Sequence, residues 1–207
     1  MKIAIVGAEE NKWTEEQKRK AKNIIKTTLV KHAFKETIKK LDIANTSIEL
    51  DYSKIILISG HCPKGGVDIW AEEIAKELGI KTEIYEPEVN QWEDLKIDWN
   101  AKNIPENHIC KSCNPPLYHL LKGYKSRNIE IARVCDVLYD IEPAKSCKYC
   151  KGVGTIIVFP KAQTSHEPPY IKQKCKYCEG DGAYSGGTWT LKYARKLGKE
   201  VHKVIIQ

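Results

Sequence analysis

The 207-residue chain lacks any apolar run near the ~20 residues that a membrane-spanning helix needs, so a helical membrane protein is not expected. Its first residues, "MKIAIVGAEE", have too short an apolar stretch for a secretory signal and no small-residue cleavage site, which makes the cytoplasm the expected location. An excess of acid is missing as well. Lys and Arg number 34 against 27 Asp and Glu, a net charge of +7 that favours polyanionic or phosphorylated partners. The lysines are spread rather than packed in one tract, and no contiguous basic-aromatic platform stands out. Single-stranded nucleic acid is therefore the second expectation for a partner, behind a small phosphorylated molecule.

Cysteine is what the chain does have. Eight occur, at 62, 110, 113, 135, 147, 150, 175 and 178, and six of them form three Cys-x-x-Cys pairs. In a reducing compartment that pattern points to metal ligation rather than disulfides. "CKYCKGVG" (147–154) and "CKYCEGDG" (175–182) are two copies of Cys-x-x-Cys-x-Gly-x-Gly. Two intervening residues let both thiolates reach one tetrahedral ion at ~2.3 Å, and the glycines permit the positive φ of the turns that follow. Free or redox-active thiols are the alternative, which the doubled pattern disfavours. Cys147, Cys150, Cys175 and Cys178 are thus expected to hold one zinc, structural because four cysteines leave no open position. These two segments resemble the zinc ribbons of DnaJ-type chaperones, which carry four such knuckles; two knuckles imply one zinc and make no case for chaperone activity. Between them, "TIIVFPKAQTSHEPPYIKQK" (155–174) reads as a projecting β-hairpin whose Lys161, His166, Tyr170, Lys172 and Lys174 could meet a nucleic-acid backbone or simply face solvent. The third pair, Cys110 and Cys113, could form a second metal site with Cys62 and His108, or with His61 or His119; the other reading is a pair of buried thiols.

Outside 144–182 the pattern alternates strand and helix. "KIAIV" (2–6), "KIILISG" (54–60), "KTEIYEP" (81–87), "DVLYDIEP" (136–143) and "EVHKVII" (200–206) read as strands. Helices are predicted from a Thr14–Gln17 capping box onward, over 67–79 with Gly79 as its stop, over 117–135 with a break near Gly123, and over 188–198. Residues 88–114 read as a long functional loop. This order predicts an α/β fold, a parallel sheet with helices on both faces. It comprises 1–143 plus 183–207, with 144–182 as an inserted zinc-ribbon hairpin at the sheet's C-terminal edge, where open α/β sheets bind ligands.

Two glycine pairs precede helices at that edge, in "SGHCPKGGVDIW" and "SGGTWT". Helix starts expose unpaired amides and partial positive charge, and glycine lets an anion come close. Together with "KSRNIEIARVCDVLYDI", these segments resemble the SLOG superfamily, the DprA/Lonely-guy-type Rossmann-like domains, in family order over most of the chain outside the insertion. The resemblance implies a Rossmann-like nucleotide-binding fold, a homo-oligomer, and a nucleotide, nucleotide-derived signal or single-stranded DNA as ligand. Carried onto this sequence, it implies that Ser59, Gly60, Gly65, Gly66 and Asp68 form a first ligand loop beside Gly7. Arg127 and Asn128 would face base, ribose or phosphate, and Gly186, Gly187 and Thr188 would cradle a phosphate. Asp68 could instead cap its helix, Arg127 could pair with a surface carboxylate, and glycine pairs also serve plain turns. "YSGGTWTLKY" lacks the proline, third glycine and glutamate of the Lonely-guy phosphoribohydrolases, which removes the basis for that reaction. Cleavage of a nucleotide N-glycosidic or phosphoryl bond remains an alternative, with Asp68, Glu72 or Glu9 as acid-base group.

Overall fold

A computed structural model describes residues 1–39, 49–87, 123–158 and 171–207, together with the backbone of 109–110 and 117–118. Five parallel strands form the central sheet: β1 (Lys2–Gly7), β2 (Ile56–Ser59), β3 (Lys81–Ile84), β6 (Val137–Pro143) and β9 (Glu200–Ile206), in the order β3-β2-β1-β6-β9. The sheet is Rossmann-like, as the strand-helix alternation predicts.

Alternation along the strands assigns the two faces. Ile3, Ile5, Leu57, Val137 and Ile141 pack beneath α1 (Glu15–Ile38) and α2 (Val67–Glu77). Ala4, Val6, Ile58 and Leu138 meet α3 (Tyr124–Val134) and α4 (Gly186–Lys196) on the other side. Being buried on both faces, β1 reads as a continuous apolar run rather than an alternating one. In α1 the buried positions Ala21, Ile25, Leu29, His32 and Ala33 recur at three- and four-residue steps, so a largely charged helix still presents one apolar stripe. Its start is the expected box: the Gln17 amide donates to Thr14 Oγ1 at 3.3 Å and the Thr14 amide to Gln17 Oε1 at 3.2 Å. Gly79 (φ +70°) and Gly198 (φ +74°) follow the ends of α2 and α4.

The helix predicted over 117–135 is corrected. Its first residues are a short strand, β5 (Leu117–Tyr118), antiparallel to β4 (Ile109–Cys110), and α3 begins only at Tyr124. Gly123 is the cause: its backbone is extended (φ −81°, ψ −169°), so it caps α3 and a helix cannot run through it. Apart from β4, the loop read over 88–114 lies outside the described residues. The last helix starts two residues earlier than read, because Ser185 caps it.

Between β6 and α4 the chain leaves the sheet. β7 (Thr155–Val158) and β8 (Ile171–Lys174) pair antiparallel from Thr155↔Lys174 to Val158↔Ile171, as the hairpin reading expects. Each is preceded or followed by a cysteine turn.

Candidate functional site

Strands β1 and β6 are neighbours at the centre of the sheet, and the chain winds away from them in opposite directions. Such a switch point leaves a crevice beyond the strands' C-terminal ends. A cavity of about 300 Å³ lies there, lined by Val6 and Gly7 from β1, Glu9 and Lys12 from the turn after it, and Cys62 and Lys64 from the turn after β2. Asp68 of α2, Tyr124, Arg127 and Asn128 of α3, and Ser185, Gly186, Gly187 and Thr190 at the start of α4 complete the wall.

Of the predicted ligand residues, Gly7, Asp68, Arg127, Asn128, Gly186 and Gly187 therefore converge on one cavity. Ser59, Gly60, Gly65, Gly66 and Thr188 are not among its lining. Arg127 is 6% exposed; its Nε donates to Asn128 Oδ1 at 2.9 Å, an NH1 donates to the Gly60 carbonyl, and Cζ lies 5.2 Å from the Tyr124 ring centroid. Gly60 is needed for this approach, since a Cβ there would overlap the guanidinium and sit 3.0 Å from Asp68 Oδ2. Burial pushes the Asp68 carboxyl up to about 6, and the positive Arg127 restrains that rise. A surface ion pair was the alternative for Arg127; the buried setting excludes it.

Glu72, the other acid read as a catalytic candidate, is occupied one turn further along α2. Ser59 Oγ donates to its Oε1 at 2.5 Å, and its Oε2 lies 2.8 Å from His61 Nδ1, which raises the His61 pKa. His61 adopts φ +47°, and its amide donates to Ser59 Oγ at 3.2 Å. Cys62 faces the cavity, but its partners in the second metal site cannot be placed: His108 and Cys113 lie outside the described residues, and Cys110 is described by backbone alone.

The start of α4 carries what sequence reading missed. Ser185 Oγ accepts from the Gly187 amide at 3.0 Å and donates to Glu142 Oε1. Thr188 Oγ1 donates to Asp140 Oδ2 at 2.8 Å, so it points down at the sheet rather than into the cavity. Asp140 and Glu142 are both 0% exposed. Burial pushes Asp140 up to about 6, and burial together with the Asp140 charge raises Glu142 well above the usual carboxylate range. Asp140 Oδ1 is buried with no partner among the described residues, directly beneath Gly187, where a Cβ would come within 2.5 Å of it and 2.7 Å of Gly7. Two acids of the same parity in "VLYDIEP", a strand otherwise buried on both faces, were the available signal, because unpaired charge in such a place is costly.

Glu142 also connects the cavity to the cysteines. Ser146 Oγ donates to Glu142 Oε2 at 3.4 Å and accepts from the Tyr184 amide at 3.1 Å. From there the chain enters the first of two matching turns. Cys147, Cys150, Cys175 and Cys178 are buried, with all four Sγ atoms within 4.8 Å of one another, a group that could hold a metal ion. The two turns exchange bonds reciprocally: the Cys147 amide donates to the Gly182 carbonyl and the Cys175 amide to that of Gly154, each at 2.8 Å. Gly154 and Gly182 also donate to Cys150 Sγ and Cys178 Sγ at 3.2 and 3.3 Å, and both hold positive φ. Lys192 of α4 ties the second turn down through the carbonyls of Lys176 and Tyr177, at 2.9 and 2.5 Å.

No helix among the described residues is long and apolar enough to cross a membrane. In comparisons with protein-family models, with curated proteins and with solved structures, nothing matches this chain.

Proposed function

We propose that the crevice between β1 and β6 binds a nucleotide or nucleotide-derived ligand, with its phosphate at the start of α4 and its ribose or base toward Asp68, Arg127 and Asn128. One observation carries this reading: a glycine-rich helix start, a buried arginine and two exposed lysines share a single cavity at the sheet's switch point. Helix amides and lysine ammonium groups both favour a polyanionic end on the ligand, while a buried arginine and asparagine offer fixed donors and an acceptor for a polar ring or sugar. The cavity volume is at the small end of the range for such sites.

The cysteine group is proposed to hold zinc. A tetrahedron with ~2.3 Å metal–sulfur bonds has edges of about 3.8 Å, and the Cys147–Cys175 and Cys150–Cys178 sulfurs stand 4.0 and 3.6 Å apart. The Gly154 and Gly182 amides would stabilise the thiolates. With four sulfur ligands the ion has no open position for chemistry, so its contribution is to fix the chain that leads into Ser185 and α4.

The test uses a panel of mononucleotides, dinucleotides and ADP-ribose-like molecules, read by thermal shift and calorimetry. Lys12→Ala/Lys64→Ala removes two exposed cations without touching the core and should weaken the best ligand about tenfold, with the melting temperature of the free protein unchanged. No shift across the panel, or full affinity in the double variant, overturns the reading. Asp68 favours a second reading, hydrolysis of the bound nucleotide, because a carboxyl near 6 in the cavity wall suits proton transfer at neutral pH. Consumption of nucleotide that Asp68→Asn abolishes would establish it.

A further inference from the structure

The two Cys-Lys-Tyr-Cys turns, 147–150 and 175–178, present the same pair of side chains twice. Their cysteines point inward and are buried, which sends the intervening lysine and tyrosine outward. Lys148, Tyr149 and Lys176 are exposed and Tyr177 is partly so. The Tyr149 and Tyr177 rings stack with centroids 3.6 Å apart and planes 13° from parallel. Tyr184 meets both edge-on, at 5.6 and 5.8 Å. Lys148 Nζ and Lys176 Nζ each lie 5.3 Å from the ring centroid of the tyrosine that follows. The sequence separates the two copies by 28 positions; only the fold brings their tyrosines and lysines together.

Charge is distributed unevenly around this cluster. Lys145, Lys148, Lys151, Lys172, Lys174 and Lys176 are all exposed, and among the described residues none is paired with a carboxylate. Among the described residues, the acids of the same segment are neutralised from the main domain. Glu179 is held by Lys192 at 3.4 Å and Arg195 at 3.2 Å, and Asp181 by Lys203 at 2.7 Å. Of these, Lys148 and Lys176 leave unpaired positive charge beside the tyrosines.

Occupants differ in what they could use here. A small anion needs converging donors, and these lysines are dispersed. An acidic peptide would meet the lysines and leave the rings idle. A duplex hides its base faces. A single strand offers a regular series of phosphates together with unstacked planar bases, the two features that lysines and exposed aromatic rings jointly recognise. We propose that the face built from Tyr149, Tyr177, Lys148 and Lys176 binds single-stranded nucleic acid, bases against the tyrosine cluster and phosphates against the lysines. This face is separate from the crevice between β1 and β6 and does not depend on the ligand proposed there.

The experiment is fluorescence anisotropy of the full, metal-loaded chain with labelled oligo-dT and oligo-rU of about 15 nucleotides, a duplex of the same length, and heparin and polyglutamate as competitors. Binding of either single strand supports the proposal, and the preference between the two tells DNA from RNA. Tyr149→Ala should weaken binding on the order of 5- to 100-fold, and Tyr149→Trp, which keeps a stacking ring, should restore it. Lys148→Ala/Lys176→Ala should weaken every single strand alike and flatten the slope of log affinity against log salt by about 1.4. The proposal falls if no single strand binds at about 50 mM salt. It also falls if the duplex binds as tightly as the strand, or polyglutamate competes as well as heparin, with Tyr149→Ala without effect in either case.

Discussion

Two helices of this protein begin with Gly-Gly, and the chain uses them in opposite ways. At α2 the pair is consumed by the fold. Gly65 and Gly66 hold φ of +71° and +98°, the Val67 amide donates to the Ala8 carbonyl at 3.3 Å, and a Cβ on Gly66 would overlap that same carbonyl. Its N-cap residue, Gly66, has no side chain with which to cap it. At α4 the pair reaches the cavity wall, Ser185 supplies the cap, and two buried acids stand beneath. Identical dipeptides before a helix are therefore not equivalent anion sites. Whether the first amides are free to receive a ligand depends on what the neighbouring strand turn does, here the turn after β1. Only α4 is in addition fastened to the cysteine turns, through Lys192 and through Ser146 and Glu142.

Removing the proposed zinc should separate the two starts most sharply. Chelation, or Cys178→Ser, takes away an ion whose binding contributes on the order of 10 kcal/mol or more to folding in small metal modules. The effect should be local. Amide exchange at 186–190 should accelerate by at least tenfold, while that at 67–70 stays as slow as before, and nucleotide affinity should fall. Equal exchange at both starts after metal loss would show that the cysteine turns do not support α4 in particular.

Glycine replacement sharpens the contrast from the other side. Gly66→Ala forces a side chain into left-handed backbone and against Ala8, a cost of about 2 to 4 kcal/mol in denaturant unfolding. Folded molecules of this variant should still bind ligand, because Gly66 is not among the cavity lining. Gly187→Ala has no such φ strain and should cost less, about 1 to 3 kcal/mol, from crowding Asp140 and Gly7. Its ligand affinity should drop in the folded protein. The opposite pattern, binding lost in Gly66→Ala and kept in Gly187→Ala, would reverse the roles assigned to the two pairs.

Much of this arrangement is legible from sequence because it follows from short-range rules. Apolar runs ending in glycine gave β1 and β2, the Thr14–Gln17 spacing gave the start of α1, and the doubled Cys-x-x-Cys-x-Gly-x-Gly gave a reciprocal four-cysteine cluster. What stayed hidden depends on which segments become neighbours. Nothing in "GGVD" says that Ala8 will take its first amide, since that requires the register of β1 against β2. Asp140 and Glu142 were visible as charges in an apolar strand, but their partners Thr188, Ser185 and Ser146 come from both ends of a forty-residue excursion. Leu117 and Tyr118 satisfied a helical spacing locally and yielded to pairing with 109–110, a contact no local pattern encodes.

The buried acids beside the two helix starts give the smallest effect and the clearest difference in sign. Asp140 and Asp68 both titrate near 6 in the folded protein, above the ordinary 3.8. A raised folded pKa means that the folded state holds the proton more tightly than the unfolded chain. Stability from this source is therefore full below about pH 4, declines as pH rises to about 6, and is absent above. Asp140 is in no ion pair among the described residues: Oδ1 is unpartnered there, Thr188 donates to Oδ2, and Lys203, itself ion-paired with Asp181, only restrains the rise that burial drives. Asp140→Asn keeps an acceptor for Thr188 and removes the charge. It should raise stability at pH 7.5 by on the order of 1 to 3 kcal/mol and flatten the decline between pH 4 and 6, leaving the parts carried by Asp68 and Glu142. Asp68 faces Arg127, which is itself buried. Asp68→Asn removes the negative charge that acts on that guanidinium, and leaving a buried charge uncompensated costs more than relieving one acid gains, so this variant should be less stable at pH 7.5. Urea unfolding of both variants across pH 4 to 8 decides the matter: if the two shift stability in the same direction at pH 7.5, the arginine is not the counter-charge that distinguishes the α2 start from the α4 start.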